Sequence, residues 1–177
     1  MGNALMILRW VLFGLAAVIA TSASAPPDLP VDLTRIGHIS SKGRVQDSQY
    51  NNLPVVNSLI QAGPAAIPFL VGKLDDDTEI REDVLDFWPR VTVGDVALVI
   101  LCDLFRTADW KASTVPGLEW DALLERTDPE APGWVVLQNF LAHHGRRGLR
   151  ERVEELLKPY EGSLAWDANE RCFMPIK

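Results

Sequence analysis

The chain has few of the residues on which common enzyme chemistries depend. Its 177 residues include two cysteines and three histidines, with no Cys-x-x-Cys and no His-Glu-x-x-His pair. It also contains no Gly-x-Ser-x-Gly sequence and no glycine-rich phosphate loop. These absences argue against a dithiol redox enzyme, a helical zinc hydrolase, a serine hydrolase with a nucleophile elbow and a nucleotide-binding enzyme. We expect no cofactor and no metal.

Positive charge is also scarce. The chain has 17 Lys and Arg against 24 Asp and Glu, and its formal net charge is −7. Arg9 is the one charged residue among the first 25, so the remainder carries 16 basic and 24 acidic side chains. An acidic domain repels phosphate backbones and anionic lipid surfaces. We therefore expect no nucleic acid partner and favour another protein, with a basic or neutral surface.

The first 25 residues have the composition of a cleaved export signal. Arg9 precedes the apolar run WVLFGLAAVIA over 10–20, and Ala23-Ser24-Ala25 supplies the small-x-small pattern of a signal peptidase site. The apolar run is shorter than the ~20 residues of a membrane-spanning helix. The sequence therefore predicts a signal peptide over 1–25, cleavage after Ala25, and a periplasmic or secreted protein without a stable membrane anchor.

The remaining length of about 150 residues suits one domain with its own core. Residues 26–46 are polar and contain three prolines and two glycines. This composition predicts a flexible lead-in over 26–46, followed by a single α-helical domain over 47–177.

Two short amphipathic helices are predicted on either side of Gly63-Pro64, since glycine ends helices and proline suits the first turn of the next. The apolar residues of each recur at intervals of three and four. They are Leu53, Val56, Leu59 and Ile60 in the first helix, and Ile67, Leu70, Val71 and Leu74 in the second.

The segment LIQAGPAAIPFLVGKL over 59–74 resembles the HEAT-type helical repeat. In that family the same Gly-Pro-Ala-Ala-Ile-Pro run begins the second helix, and a proline at the place of Pro68 bends it. The resemblance covers residues 52–76 and no second copy follows at a fixed period. It implies packing of helical hairpins rather than a regular array, which needs about three repeats.

The stretch from Val93 to Phe105 is apolar nearly all round, with Thr92 as its N-cap and Asp95 in its first turn. A helix without a polar face is a buried one, so we expect this helix at the centre and Asp103 directed outward. Residues 134–144 and 149–160 predict a second hairpin that turns at Gly145. The predicted fold class is all-α: HEAT-like helical hairpins around a buried central helix, with an irregular C-terminal tail from Trp166 onward.

Cys102 and Cys172 are the candidates for a disulfide, because an even number of cysteines in an oxidising compartment favours pairing. Closing this loop of about seventy residues would stabilise the fold by ~4 kcal/mol in the chain-entropy model. The alternative is that Cys102, which has aliphatic neighbours in the sequence, is a buried thiol.

Two charged clusters have ordinary explanations. His143-His144 with Arg146-Arg147 forms a basic contact patch or, more simply, a solvated helix end with favourable dipole interactions. The acidic residues over 75–86 depart from a calcium-binding loop, because Ile80 falls where the loop needs glycine and Asp86 where it needs glutamate. We interpret that run as a solvated connector.

The tryptophans are the more specific signal for binding. Trp88 and Trp110 flank the predicted central helix, and Arg90 adds a guanidinium beside Trp88. Tryptophan and arginine are enriched at binding hot spots, so these three residues are the candidate binding site. The competing interpretation is that the tryptophans cover the ends of a small helical core.

The favoured function is an exported, non-enzymatic module that binds another protein between helical hairpins. One alternative is a periplasmic immunity or inhibitor protein. In general style the chain resembles the small acidic immunity proteins that neutralise secreted cell-wall amidases. The further alternative is a cell-wall hydrolase whose two carboxylates are distant in the sequence.

Overall fold

The computed structural model of the protein describes residues 28–39, 53–80, 83–86, 88–108 and 112–176. The predicted signal peptide over 1–25 lies outside these described residues. The helices are α1 (Leu53–Ala62), α2 (Ala66–Lys73), α3 (Val93–Leu104), α4 (Trp120–Leu123) and α5 (Gly133–Leu157). The strands are β1 (Glu79–Ile80), β2 (Val91–Thr92), β3 (Leu164–Asp167) and β4 (Cys172–Pro175). Short 3₁₀ helices lie at Leu33–Arg35, Gly63–Ala65 and Lys158–Tyr160.

The prediction of an all-α fold is wrong, because the chain forms two small antiparallel sheets. In the first, β1 pairs with β2, with Ile80 opposite Val91. In the second, β3 pairs with β4, with Trp166 opposite Phe173. The second sheet replaces the irregular tail that the sequence predicted.

A tight turn makes the C-terminal hairpin. The Asp167 carboxylate accepts hydrogen bonds from the backbone N–H of Asn169 (2.8 Å) and of Glu170 (3.0 Å). Arg171 then adopts a left-handed backbone conformation, with φ of 55°. An aspartate that bonds the backbone two residues ahead is a recognised turn former. This local chemistry directs the chain back along β3.

Helix α3 lies at the centre of the core, as its apolar composition predicts. Each of its residues except Val99 is buried. The outward orientation predicted for Asp103 is wrong, since only 5% of this residue is exposed. The same hydrophobic core contains buried apolar side chains from other parts of the chain, among them Leu33, Ile36, Val56, Leu59, Leu70, Leu74, Leu118, Leu149, Val153 and Phe173.

Glycines in the left-handed region end helices at the two expected positions. Gly63 (φ 60°) follows the last residue of α1 and begins the 3₁₀ turn that leads into α2. Gly145 (φ 69°, ψ 173°) interrupts α5. Across this second break, the Arg152 guanidinium lies 5.8 Å from the centre of the Phe140 ring. Twelve residues of straight helix would span about 18 Å, so the chain turns sharply at Gly145, the position predicted for the turn of the second hairpin.

Pro54–Lys73, which spans α1 and α2, is long and apolar enough to cross a membrane by length and composition alone. Core helices pass the same test, so this is weak evidence for a span. Val56, Leu59 and Leu70 of this segment are buried in the protein core.

The lead-in is packed where the structure describes it. Within the predicted flexible segment 26–46, Asp32 caps the first 3₁₀ helix by accepting a hydrogen bond from the Thr34 N–H. Leu33, Ile36 and Ile39 are buried in the core. The Ile39 N–H also donates to the Val84 carbonyl at 2.6 Å. Burial of apolar side chains therefore holds residues 28–39 against the domain, contrary to the flexibility expected of them.

The N-terminal end of α3 has its backbone donors satisfied from two directions. Thr92 is the N-cap, as predicted, and it forms a capping box with Asp95: each side chain accepts a hydrogen bond from the other residue's backbone N–H. The N–H groups of Val93 and Gly94 donate to the carbonyls of Thr78 (3.0 Å) and Asp76 (2.8 Å). The acidic connector therefore closes the helix end with its backbone carbonyls.

Arg146 joins this helix end to the second hairpin. Its Nη2 donates to Thr92 Oγ1 at 2.7 Å and to Asp95 Oδ1 at 3.0 Å. Its Nη1 donates to the Leu74 carbonyl at 3.4 Å. The guanidinium lies close to the backbone of α3, since a Cβ on Gly94 would lie 2.7 Å from Arg146 Nη1. One guanidinium thus connects the end of α2, the start of α3 and the hairpin of α5.

The neighbouring arginines make a matched test of this contact. Arg146→Met leaves the Asp95 carboxylate buried without its cation, and we expect a loss of about 3–5 kcal/mol in the free energy of unfolding. Arg147 is 87% exposed and pairs only with Glu151 one turn ahead, so Arg147→Met should cost less than about 0.5 kcal/mol. Urea denaturation of both variants measures the difference. Equal stabilities would show that Arg146 does not anchor α3.

Candidate functional site

An open cleft lies between the C-terminal end of α3 and the start of α4. Its volume is about 220 Å³. Eight residues line it, from the end of α3, the loop that follows and the first turn of α4: Cys102, Arg106, Ala112, Ser113, Leu118, Glu119, Trp120 and Asp121. We refer to it as the Trp120 cleft.

The loop that forms one wall is fixed to its surroundings by backbone hydrogen bonds. Arg106 and Ser113 form an antiparallel bridge. The Thr114 N–H donates to the Phe105 carbonyl at 2.8 Å, and the Thr114 hydroxyl donates to the Phe173 carbonyl at 2.5 Å. These contacts join the wall to both α3 and β4, so the described part of the loop has a defined position.

Glu119 uses both carboxylate oxygens to hold this wall. Its Oε1 accepts a hydrogen bond from the Ser113 N–H at 3.2 Å, and its Oε2 accepts one from the Gly117 N–H at 2.9 Å. Gly117 has φ of 89°, a conformation that favours glycine. The negative charge of Glu119 therefore lies at the cleft with both of its oxygens engaged by the backbone.

Asp121 presents a more accessible carboxylate. Its Oδ1 lies 2.9 Å from Arg126 Nε, and the aspartate side chain is 63% exposed. Arg126 is also held by a hydrogen bond from its Nη1 to the Pro129 carbonyl at 3.2 Å. Asp121 thus has a cation beside one carboxylate oxygen, and its side chain is exposed at the cleft.

The Trp120 indole is held by packing against a second indole. The rings of Trp88 and Trp120 meet edge to face, with their centres 6.1 Å apart and an interplanar angle of 60°. Trp120 Nε1 is buried and has no hydrogen-bond partner among the described residues. This nitrogen lies beside Gly133, because a Cβ built on that glycine would lie 3.6 Å from Trp120 Nε1. Aromatic pairs of this geometry contribute about 0.5–1.5 kcal/mol beyond the area they bury.

The three predicted binding residues do not form one cluster in the part of the chain that the structure describes. Trp88 is half-buried and supports Trp120, while Arg90 is exposed and lies 3.4 Å from Glu79 across the first sheet. Trp110 lies outside the described residues. Trp88, Trp120 and Trp166 all pack against the core, as the competing interpretation of the tryptophans expected.

Sequence reasoning missed Arg106, Glu119, Trp120 and Asp121. The signal available was the run Leu118–Asp121, in which a tryptophan stands between two acids at the start of a short helix. The role of these residues depends on their contacts with Ser113, Gly117 and Trp88, which the periodicity of the sequence does not reveal.

The predicted disulfide is absent: no bond joins Cys102 to Cys172, and both side chains are buried. Cys102 lies at the base of the Trp120 cleft. Burial raises the pKa of the Cys102 thiol from its ordinary value of 9.0 to about 12, while the nearby Arg106 charge acts weakly in the opposite direction. A thiol that stays protonated at neutral pH is a poor nucleophile.

His144 takes part in a packing contact. The His144 ring lies against the Phe140 ring, with centres 4.5 Å apart, and its Nε2 lies 3.7 Å from Glu125. Arg152 donates a short hydrogen bond to the same carboxylate, and this bond holds the pKa of Glu125 below its usual value. Within the described ranges, no three His, Cys, Asp or Glu side chains are grouped to hold a metal ion.

Comparisons with protein-family models, curated proteins and solved structures found no match to this chain. The resemblance of residues 52–76 to a HEAT-type repeat therefore stays a prediction.

The raised pKa of Cys102 gives a pH dependence with a definite sign. Because the folded protein keeps this proton up to pH ~12 and the unfolded chain releases it near 9.0, stability should fall as pH rises between these values. The expected loss is about 1.4 kcal/mol for each pH unit. The Cys102→Ala variant lacks this contribution but keeps every lysine and tyrosine. Urea denaturation from pH 8.5 to 11 should therefore show a smaller slope for the variant, and identical slopes would contradict the assignment.

Proposed function

We propose that the chain is exported and that its folded domain binds another protein through the Trp120 cleft, without catalysing a reaction. One observation carries the proposal: a rigid indole and an accessible carboxylate line an open cleft beside an otherwise apolar core. Trp and Arg side chains cluster in binding hot spots, where they are surrounded by contacts that exclude water. The export signal read from residues 1–25 supports the compartment, and the acidic composition supports a basic or neutral partner.

The size of the cleft supports a protein ligand over a cofactor. Pockets that enclose drug-sized ligands have volumes of roughly 300–1,000 Å³. The Trp120 cleft, at about 220 Å³, has room for one large side chain. A partner protein would insert such a side chain and cover the surrounding surface with the rest of its interface.

The proposed surface differs from the one that the HEAT-type resemblance implies. That resemblance places binding in a groove between helical hairpins, whereas the Trp120 cleft lies at the end of α3. We propose the cleft because its lining residues combine an aromatic ring, two acids and one base within a single concavity.

One observation favours the hydrolase alternative: Glu119 and Asp121 both line the cleft. A carboxylate pair is the machinery of glycoside hydrolysis. However, both oxygens of Glu119 accept backbone hydrogen bonds, so neither is placed to protonate a leaving group. Peptidoglycan release by the purified protein, abolished in Asp121→Asn, would establish the hydrolase and overturn the binding proposal.

A steric variant tests the binding proposal directly. Ala112 is exposed and lines the cleft, so Ala112→Phe fills the cleft without disturbing the core. Ala142 is exposed on α5 and is not among the lining residues, so Ala142→Phe is the matched control. We expect gentle crosslinking in a cell-envelope extract to capture one major partner with the wild type and with Ala142→Phe. Capture by Ala112→Phe should fall about tenfold, since blocking a central hot spot costs more than 1 kcal/mol.

The captured protein is then purified and its affinity measured by calorimetry for the same three proteins. Equal affinity for Ala112→Phe and the wild type would place the interface elsewhere and contradict the proposal. Failure to capture any partner under these conditions would also count against it.

A further inference from the structure

We propose that the Trp120 cleft receives an arginine side chain of the partner, with its guanidinium against the Trp120 indole and paired with the Asp121 carboxylate. The inference rests on the proposed function, because it specifies the chemistry of the group that the cleft binds. It follows from the charge, the aromatic wall and the dimensions of the cleft.

The charge of the lining favours a cation. Among the lining residues, Glu119 and Asp121 contribute two carboxylates against the guanidinium of Arg106, while Arg126, outside the lining, lies 2.9 Å from Asp121 Oδ1. Asp121 is the accessible one of the two, and among the described residues no group donates a hydrogen bond to its second oxygen, Oδ2. The Oδ2 oxygen of this exposed carboxylate is therefore open to an incoming donor, while Arg126 lies against Oδ1. The chain as a whole, at −7, adds an attractive field for a basic partner.

The aromatic wall favours a guanidinium in particular. Trp120 is held in place by Trp88 and by the packing of its buried edge against Gly133. Guanidinium groups stack on indole faces and pair with carboxylates in the same plane, whereas an ammonium is a strongly hydrated point charge. A fixed indole next to a carboxylate therefore discriminates arginine from lysine.

The dimensions and the apolar residues of the cleft fit the arginine stem. The exposed Ala112 and the half-buried Trp120 line the cleft. Arginine buries its methylene groups along apolar surface while its head reaches a polar partner. The volume of about 220 Å³ accommodates one such side chain.

Two arginines oppose this occupant and set its orientation: Arg106, which lines the cleft, and Arg126, which lies 2.9 Å from Asp121 Oδ1. The charge of Arg106 is close enough to affect the Cys102 thiol at the base of the cleft. An incoming guanidinium therefore lies toward Asp121 and away from Arg106. An anionic side chain would have the reverse preference, toward Arg106, and would then face two carboxylates.

The test is a titration with capped amino acids, followed by NMR through the indole N–H resonance of Trp120. Nα-acetyl-arginine amide is compared with the neutral isostere Nα-acetyl-citrulline amide, with the lysine derivative and with the glutamate derivative. We expect arginine to bind at least about fivefold more tightly than each of the others, the difference expected for about 1 kcal/mol of cation–π and ionic attraction. Asp121→Asn should remove most of this preference. Glu130→Gln, which removes an exposed acid that does not line the cleft, should retain it.

Equal binding of arginine and citrulline, tighter binding of glutamate, or an unchanged Trp120 resonance would overturn the inference. The two proposals fail separately. If Ala112→Phe abolishes capture of the partner but the arginine derivative does not bind, the cleft is a protein-binding site for a different side chain. If the arginine preference depends on Asp121 but capture is unaffected by Ala112→Phe, the cleft binds arginine and the proposed protein interface is wrong.

Discussion

The buried carboxylate of Asp95 is the group around which the described part of the fold is organised. Asp95 is 1% exposed, and its two oxygens are satisfied by the Thr92 N–H and by the guanidinium of Arg146. A charge taken out of water in this way is tolerated only with an opposite charge and with hydrogen bonds to its remaining lone pairs. The same guanidinium bonds the Leu74 carbonyl, so satisfying one carboxylate fixes the relative positions of α2, α3 and the second hairpin. Gly94 permits this arrangement, because a Cβ there would lie 2.6 Å from the Leu74 carbonyl oxygen.

Anchoring one end of α3 positions the candidate site at its other end. The helix is twelve residues long, so about 18 Å separate the Asp95 end from the start of the loop that carries Arg106. Its buried, apolar surface leaves little freedom to rotate, and the loop beyond it is bonded to Phe105 and Phe173. Glu119 then clamps that loop with both of its oxygens. The positions of the acidic and aromatic groups in the cleft are therefore a consequence of the packing around it.

Local patterns in the sequence were sufficient for several elements, and the failures share one cause. The N-cap at Thr92, the burial of α3 and the turn at Gly145 each depend on residues a few positions apart. The first sheet was missed because β1 and β2 have two residues each, too few for an alternating pattern. The second was missed because burial does not alternate along β3 or β4. Trp88 was correctly identified as notable, but its neighbour in the structure is Trp120, thirty-two positions away, rather than Arg90. The segment 26–46 was expected to be flexible from its prolines and glycines, yet in its described part, 28–39, three buried aliphatic side chains outweigh that composition.

The sequence by itself determined where helices start and stop, which helix is apolar on all sides and that the chain is acidic, because capping, periodicity and charge are properties of neighbouring residues. It could not distinguish Arg146 from Arg147, although one is tied to the core and the other is 87% exposed. Only the tertiary structure decided this, since the partner of Arg146 lies 51 residues away and the direction of each side chain depends on how the hairpin packs. The Trp120 cleft also depends on the tertiary structure. Its lining comes from the end of one helix, a loop and the start of another, and their convergence depends on the core that holds them together.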